Sequence, residues 1–147
     1  MLELRIKRLD QNDNDIALPQ YATDHAAGMD LRINRTIEIA PGEILMAPTG
    51  IAMEIPEGYE GQVRPRSGLA AKHGITCLNT PGTIDADYRG ELKVILINHG
   101  KEPVRFERGT RIAQLVISKY QKVSVLEVEE LQESVRAEGG FGHTGTH

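Results

Sequence analysis

Tryptophan is absent, cysteine occurs once and phenylalanine only twice in the 147 residues. With Cys77 alone, no disulfide can close within the chain, and a CxxC pair or a Cys/His zinc site is excluded. A reducing compartment is the simpler setting. Cys77 lies in the apolar run Ile75-Thr76-Cys77-Leu78 and reads as a small buried hydrophobe rather than a nucleophile. A basic excess is missing as well: 17 Lys and Arg face 21 Asp and Glu, for a formal net charge of -4. Affinity drawn from DNA or RNA phosphates is therefore not expected, although a few arginines could still hold one small phosphate ligand. No apolar run approaches the roughly 20 residues that span a bilayer. The start, Met1 to Lys7, alternates charged and apolar residues and lacks the hydrophobic centre of a signal peptide. The expected location is the cytoplasm, with no membrane or nucleic-acid partner.

What is present is a period of two. Leu2, Leu4 and Ile6 share one side of a strand, with Glu3, Arg5 and Lys7 on the other. Ile37 and Ile39 flank Glu38 before the turn signal Pro41-Gly42. Ile51 to Ile55 stops at Pro56-Glu57-Gly58, and Tyr59 to Arg64 reads as the returning strand. Lys93 to Ile97 and Ile112 to Ile117 are more continuously apolar and suit strands buried on both faces. Turn signals at short intervals predict an all-β sandwich or barrel. One helix of about two turns is expected from Ser67 to Gly74, with Ser67 as its cap and Gly74 as its stop. With neither repeat nor linker, residues 1–147 read as one domain. From Glu129 the pattern changes to a charged stretch and then a glycine-rich tail, with four glycines between Gly139 and His147. Such a tail is too costly to order alone, yet it carries Phe141.

Three segments could carry chemistry, and each has a second reading. The tail matches GxGxxG at Gly140, Gly142 and Gly145, but no close strand precedes it and no helix can follow, so it is not a dinucleotide fingerprint. Gly100-Lys101 is followed by Glu102 and is no Walker A loop. The tail is either a frayed end or a wrap of N–H groups for phosphate, helped by Arg136 and Thr144. Arg64-Pro65-Arg66-Ser67-Gly68 is either an arginine-capped turn or an anion clamp at a helix start. Asn79 to Leu92 sets Asp85, Asp87 and Tyr88 between the turn signals Pro81-Gly82 and Arg89-Gly90. Its acids, which share a face on strand alternation, are solvated loop groups or include a base for water attacking phosphorus.

Taken together and in order, these segments resemble the homotrimeric dUTP pyrophosphatase (dUTPase) family. Five motifs carry the resemblance from Ala27 to Gly145: Ala27-Gly28-Met29-Asp30-Leu31, Arg66-Ser67-Gly68-Leu69, the Asn79–Leu92 segment, Arg108-Gly109-Thr110-Arg111-Ile112-Ala113-Gln114, and the Arg136–Gly145 tail. The resemblance implies a β jelly roll with one short helix, a flexible glycine-rich arm over residues 129–147, and a homotrimer with active sites shared among chains. The implied reaction is hydrolysis of dUTP to dUMP and pyrophosphate, which limits uracil in DNA and supplies dUMP for dTMP synthesis.

By the same resemblance Asp85 is the base for the water that attacks the α-phosphorus, and Tyr88 lies under the deoxyribose, leaving no room for a 2′-hydroxyl. Asn79 and the backbone near Gly82, Thr83 and Ile84 read the uracil edge, with Lys93 beside the base. Arg66, Ser67, Gly68 and Gln114 hold phosphate oxygens. Asp30 reaches a Mg²⁺ ion through its bound waters, in keeping with an ion that retains much of its hydration. Arg111 is expected to be structural, near the centre of the assembly. Phe141 stacks on the uracil while Arg136, Gly142 and Thr144 close over the phosphates. His143 departs from the serine common in the family tail, and an imidazole can still donate to phosphate. His25 and His73 read as surface residues. Two rivals are a dCTP deaminase, whose fold is shared but which lacks the Asp-Ala-Asp-Tyr-Arg-Gly pattern, and a non-catalytic trimeric binding protein.

Overall fold

Alternating side chains account for the strands of a computed structural model that describes residues 2–145. Met1, Thr146 and His147, the outer ends of the terminal readings above, lie outside the described residues. The strands are β1 (Arg5–Arg8), β2 (Met29–Arg32), β3 (Ile37–Ile39), β4 (Ile44–Glu54), β5 (Tyr59–Pro65), β6 (Ile75–Cys77), β7 (Gly82–Ile84), β8 (Glu91–Asn98), β9 (Val104–Phe106) and β10 (Arg111–Lys119). One helix, α1 (Ser67–His73), lies between β5 and β6. Two four-stranded sheets, ordered β1-β4-β8-β6 and β2-β10-β5-β7, stack in a jelly-roll arrangement, and β3 and β9 form a ribbon. Every pairing is antiparallel.

The core lies between the two sheets. Leu92, Val94 and Leu96 of β8 and Ala47 and Met53 of β4 meet Met29, Leu31, Val63, Ile84 and Leu115 of the other sheet in one buried cluster. Cys77 belongs to it, and burial raises its thiol to about 11, so it stays protonated and inert. Ile37 and Ile39 are buried about an exposed Glu38, as the alternation predicts. Leu4 and Ile6 pack against the core, whereas Leu2 is half exposed.

Two expectations change. β8 and β10 are not buried on both faces within this chain. Lys93 is exposed, and Ile95 and Ile97 are only partly covered, because among the described residues no layer lies over that side. Their neighbours across the ladder, Met46 and Ile44, are more than half exposed. The cap of α1 is Arg66, not Ser67. The Arg66 carbonyl accepts the first helical N–H groups, from Leu69 and Ala70, so Ser67 is already helical. Gly74 ends the helix as expected, at φ 68, where an added Cβ would come within 2.6 Å of the Gly100 nitrogen.

Candidate active site

β7 runs beside β5 and then releases the chain into a turn. The Tyr88 N–H donates to the Asp85 carbonyl at 3.1 Å, so strand alternation no longer decides where Asp85 and Asp87 point. Asp85 lines a cleft of ≈ 380 Å³ with Tyr88, Thr83, Ile84 and Lys93, walled by Met46 and Ile95. Asp87 lines a different hollow of ≈ 660 Å³, which Asp85 also borders together with Glu54, Glu57 and Glu60. The Tyr88 ring folds back over Gly90, where a Cβ would overlap the phenol, and its hydroxyl donates to the Glu91 carbonyl at 3.0 Å. Asn79 is exposed, and its amide lies against Gly82, at 3.2 Å from where a Cβ would stand.

A second cluster occupies the outer face of the β2-β10-β5-β7 sheet, towards the edge far from β7. Register places Asp30 of β2, Gln114 of β10 and Arg64 of β5 in one row. Gly28 approaches Gln114 closely, since a Cβ there would lie 3.2 Å from its Oε1. Arg66 donates through Nη1 to the Arg111 carbonyl at 2.9 Å and brings Nε to 4.0 Å from Asp30. Arg111, expected near the centre of an assembly, is here a partner of Asp30 at 3.2 Å. Ser67 and Gly68 stand exposed on the first turn of α1 beside Arg66. With two arginines on one carboxylate the cluster favours anions. Asp30 is its lone carboxylate, and no group of three or more His, Cys, Asp or Glu side chains converges among the described residues. That donor set fits a hydrated divalent cation carried on phosphate oxygens and met through water, not one gripped directly by the protein.

Beyond Lys119 no helix or strand occurs among the described residues. Arg136, Phe141, Gly142 and Thr144 lie in successive turns, with the Phe141 side chain wholly exposed. The Arg136 Nε donates to the Gly139 carbonyl at 2.6 Å, and the His143 ring rests on Gly139. The chain therefore brings Asp85, Thr83, Ile84, Tyr88 and Lys93 together in one cleft. It holds Asp30, Arg66 and Gln114 in a second group, and the tail residues in a third. β7 and β2 are three strand spacings apart, roughly 14 Å.

The dUTPase family model matches residues 14–145. The chain belongs to the dUTPase family. Its relatives include a deoxyuridine 5'-triphosphate nucleotidohydrolase of Rickettsia bellii, 57% identical with 99% of this chain and 97% of that protein covered. One of the same name from Anaeromyxobacter sp. is 55% identical over 97% of each. Among solved structures, the Staphylococcus bacteriophage 80alpha dUTPase with dUPNHPP superposes with a TM-score of 0.89 at 30% identity, over 98% of this chain and 99% of that one. A mutant dUTPase from phage phi11 of S. aureus, described for its coordination of a structural Mg(II) ion, has a TM-score of 0.78 at 25% identity, with 87% and 97% covered.

Sequence reasoning missed Glu91. Its carboxylate lies 3.6 Å from the Lys93 ammonium and lines the same cleft. The i, i+2 spacing of Glu91 and Lys93 on one strand face was the available signal. Nothing local marks Gly50, whose N–H donates to Glu91 at 3.2 Å from the neighbouring strand.

Proposed function

We propose that this dUTPase-family chain is a dUTP diphosphatase that hydrolyses dUTP to dUMP and pyrophosphate. The observation that carries the reading is the cleft where Asp85 stands beside Tyr88 and Lys93, in a chain whose close relatives bear that activity in their names. Asp85, exposed at the cleft, accepts a proton from water as its oxygen bonds to the α-phosphorus. The bond from that phosphorus to the α,β-bridging oxygen breaks, and pyrophosphate leaves with the electron pair. Tyr88, held flat over Gly90, forms the floor for a deoxyribose and leaves a 2′-hydroxyl no space. Asn79 and the backbone of Gly82, Thr83 and Ile84 offer donors and acceptors to the uracil edge, with Lys93 at the side.

Arg66, Ser67, Gly68 and Gln114 hold phosphate oxygens, where preorganised donors favour developing charge. Asp30 would hold a hydrated Mg²⁺ here, and such an ion would supply charge that offsets the phosphates. Arg136, Phe141, Gly142 and Thr144 close over the nucleotide and exclude water. Because one chain keeps these three groups apart, the functional unit is a homotrimer whose sites are completed by neighbouring chains. The half-covered face of β4 and β8 supports such an assembly. Within it, residues 1–147 act as one domain with 129–147 as the closing arm. Among the described residues no helix is long and apolar enough to cross a membrane, and we place the reaction in the cytoplasm, where it limits uracil in DNA and supplies dUMP.

Incubation with each dNTP and Mg²⁺ tests the reading. Pyrophosphate from dUTP alone is expected. Ammonia released from dCTP would turn the assignment to a deaminase, and no product from any nucleotide would leave a binding protein.

A further inference from the structure

The ladder between β4 and β8 is broken at one place. Pro48 pairs with Lys93 and Ala52 with Glu91, so three residues of β4 oppose Leu92 alone. A bulge of this kind leaves backbone groups without ladder partners. The Thr49 hydroxyl takes the Leu92 carbonyl, and the Gly50 N–H turns to Oε1 of Glu91 at 3.2 Å.

The bulge is pinned from behind. Gly50 sits at φ 70, where a Cβ would come within 2.6 Å of both Asn34 Nδ2 and Asp13 Oδ2. Its carbonyl accepts the Leu9 N–H at 2.9 Å, and the Asn34 N–H donates to the Pro48 carbonyl at 3.1 Å. Glu91 Oε1 is thus fixed by a rigid backbone donor, which aims Oε2 at the Lys93 ammonium, 3.6 Å away. The Lys93 side chain is 44% exposed, so the pair adds little to stability. Its use must lie elsewhere. Two carboxylates, Glu91 and Asp85, line this cleft with the ammonium of Lys93, and lysine is a flexible point charge on a four-carbon stem.

We propose that Glu91 is a positioning residue that keeps the Lys93 ammonium off Asp85, leaving that carboxylate unpaired to take the proton from water. The proposal rests on the reading of Asp85 as the base. With Glu91 neutral, Lys93 turns to the other carboxylate in the cleft and engages it in an ion pair.

The test is a double-mutant cycle on the full-length protein with dUTP and Mg²⁺. Glu91→Gln keeps an oxygen for the Gly50 N–H, so its melting temperature should match wild type. Its kcat should fall about tenfold, the size of one contact-range coupling. Lys93→Met changes KM more than kcat. In that background, adding Glu91→Gln should leave kcat at the value of Lys93→Met alone. A wild-type kcat in Glu91→Gln, or an equal tenfold loss with and without Lys93, overturns the proposal. A wild-type protein inactive on dUTP would instead fail the functional reading, which the same assay reports separately.

Discussion

The Asp85 cleft and the tail after Lys119 both hold exposed residues of the candidate site, yet they are built by opposite means. Around the cleft, backbone and side chains are tied to distant parts of the chain: Glu91 to the Gly50 bulge, and the bulge to Leu9 and Asn34. Past Tyr120, whose N–H still donates to the Gly58 carbonyl at 3.2 Å, the tail's hydrogen bonds among described residues reach at most three positions, such as Arg136 to Gly139 and His143 to Gly140. Val125, Leu131 and Phe141 there are almost fully exposed. Apolar side chains left in water gain nothing until another surface covers them. The difference teaches that the cleft is preorganised by its own chain, while the tail, if it serves the proposed site, would draw its order from substrate or a neighbouring chain.

The largest expected effect breaks the cleft side. Asp85→Asn keeps the shape of the site and removes the proposed base, so kcat should fall by about 10² to 10⁴ with KM little changed. An unaltered kcat would take Asp85 out of the mechanism. Next in size is removal of residues 139–147, which should abolish most of the activity on dUTP while sedimentation still reports the mass of the proposed trimer. Dissociation into single chains would make the tail a structural element instead.

The smallest effect concerns the scaffold behind the cleft. Arg108 donates to Asp13 at 2.9 Å and to Asp15 at 2.6 Å. Asn34 first, and then Arg108, lowers the Asp13 carboxyl, while Arg108 pulls Asp15 down to about 2. Both carboxyls are depressed below their ordinary value of 3.8. Their stabilisation is therefore complete above that value and is lost as the pH falls through the folded-state values. Arg108→Met should lower the melting temperature most at pH 5 and above, with the gap to wild type closing between about pH 4 and pH 2. A gap that stayed constant with pH would assign Arg108 a packing role only. The tail, which has no tie to this network among the described residues, should not sense the change.

Much of the fold was legible because strand alternation is a local property. Ile37, Glu38 and Ile39 declare their faces without reference to any partner, and Gly74 declares the end of a helix. The helix start was misassigned at Ser67 because a hydroxyl looks like a cap in sequence. The true cap is set by which carbonyl the first N–H groups reach, and that is Arg66. At the candidate site, the residues of the Asn79–Leu92 segment could be read together because they are contiguous. The Arg111–Asp30 pair was not legible, because Asp30 lies 81 residues away and meets Arg111 only through the pairing of β2 with β10.

By itself, then, the sequence determined the class of the fold, the five motifs and the family, since each rests on short-range pattern or residue identity. Tertiary structure alone decided that Asp85 shares a cleft with Lys93 and Glu91, and that a bulge at Gly50 aims the Glu91 carboxylate. It also left Phe141 far from any cover within its own chain. These outcomes depend on register between strands distant in sequence, and a one-residue slip would turn each side chain to the opposite face.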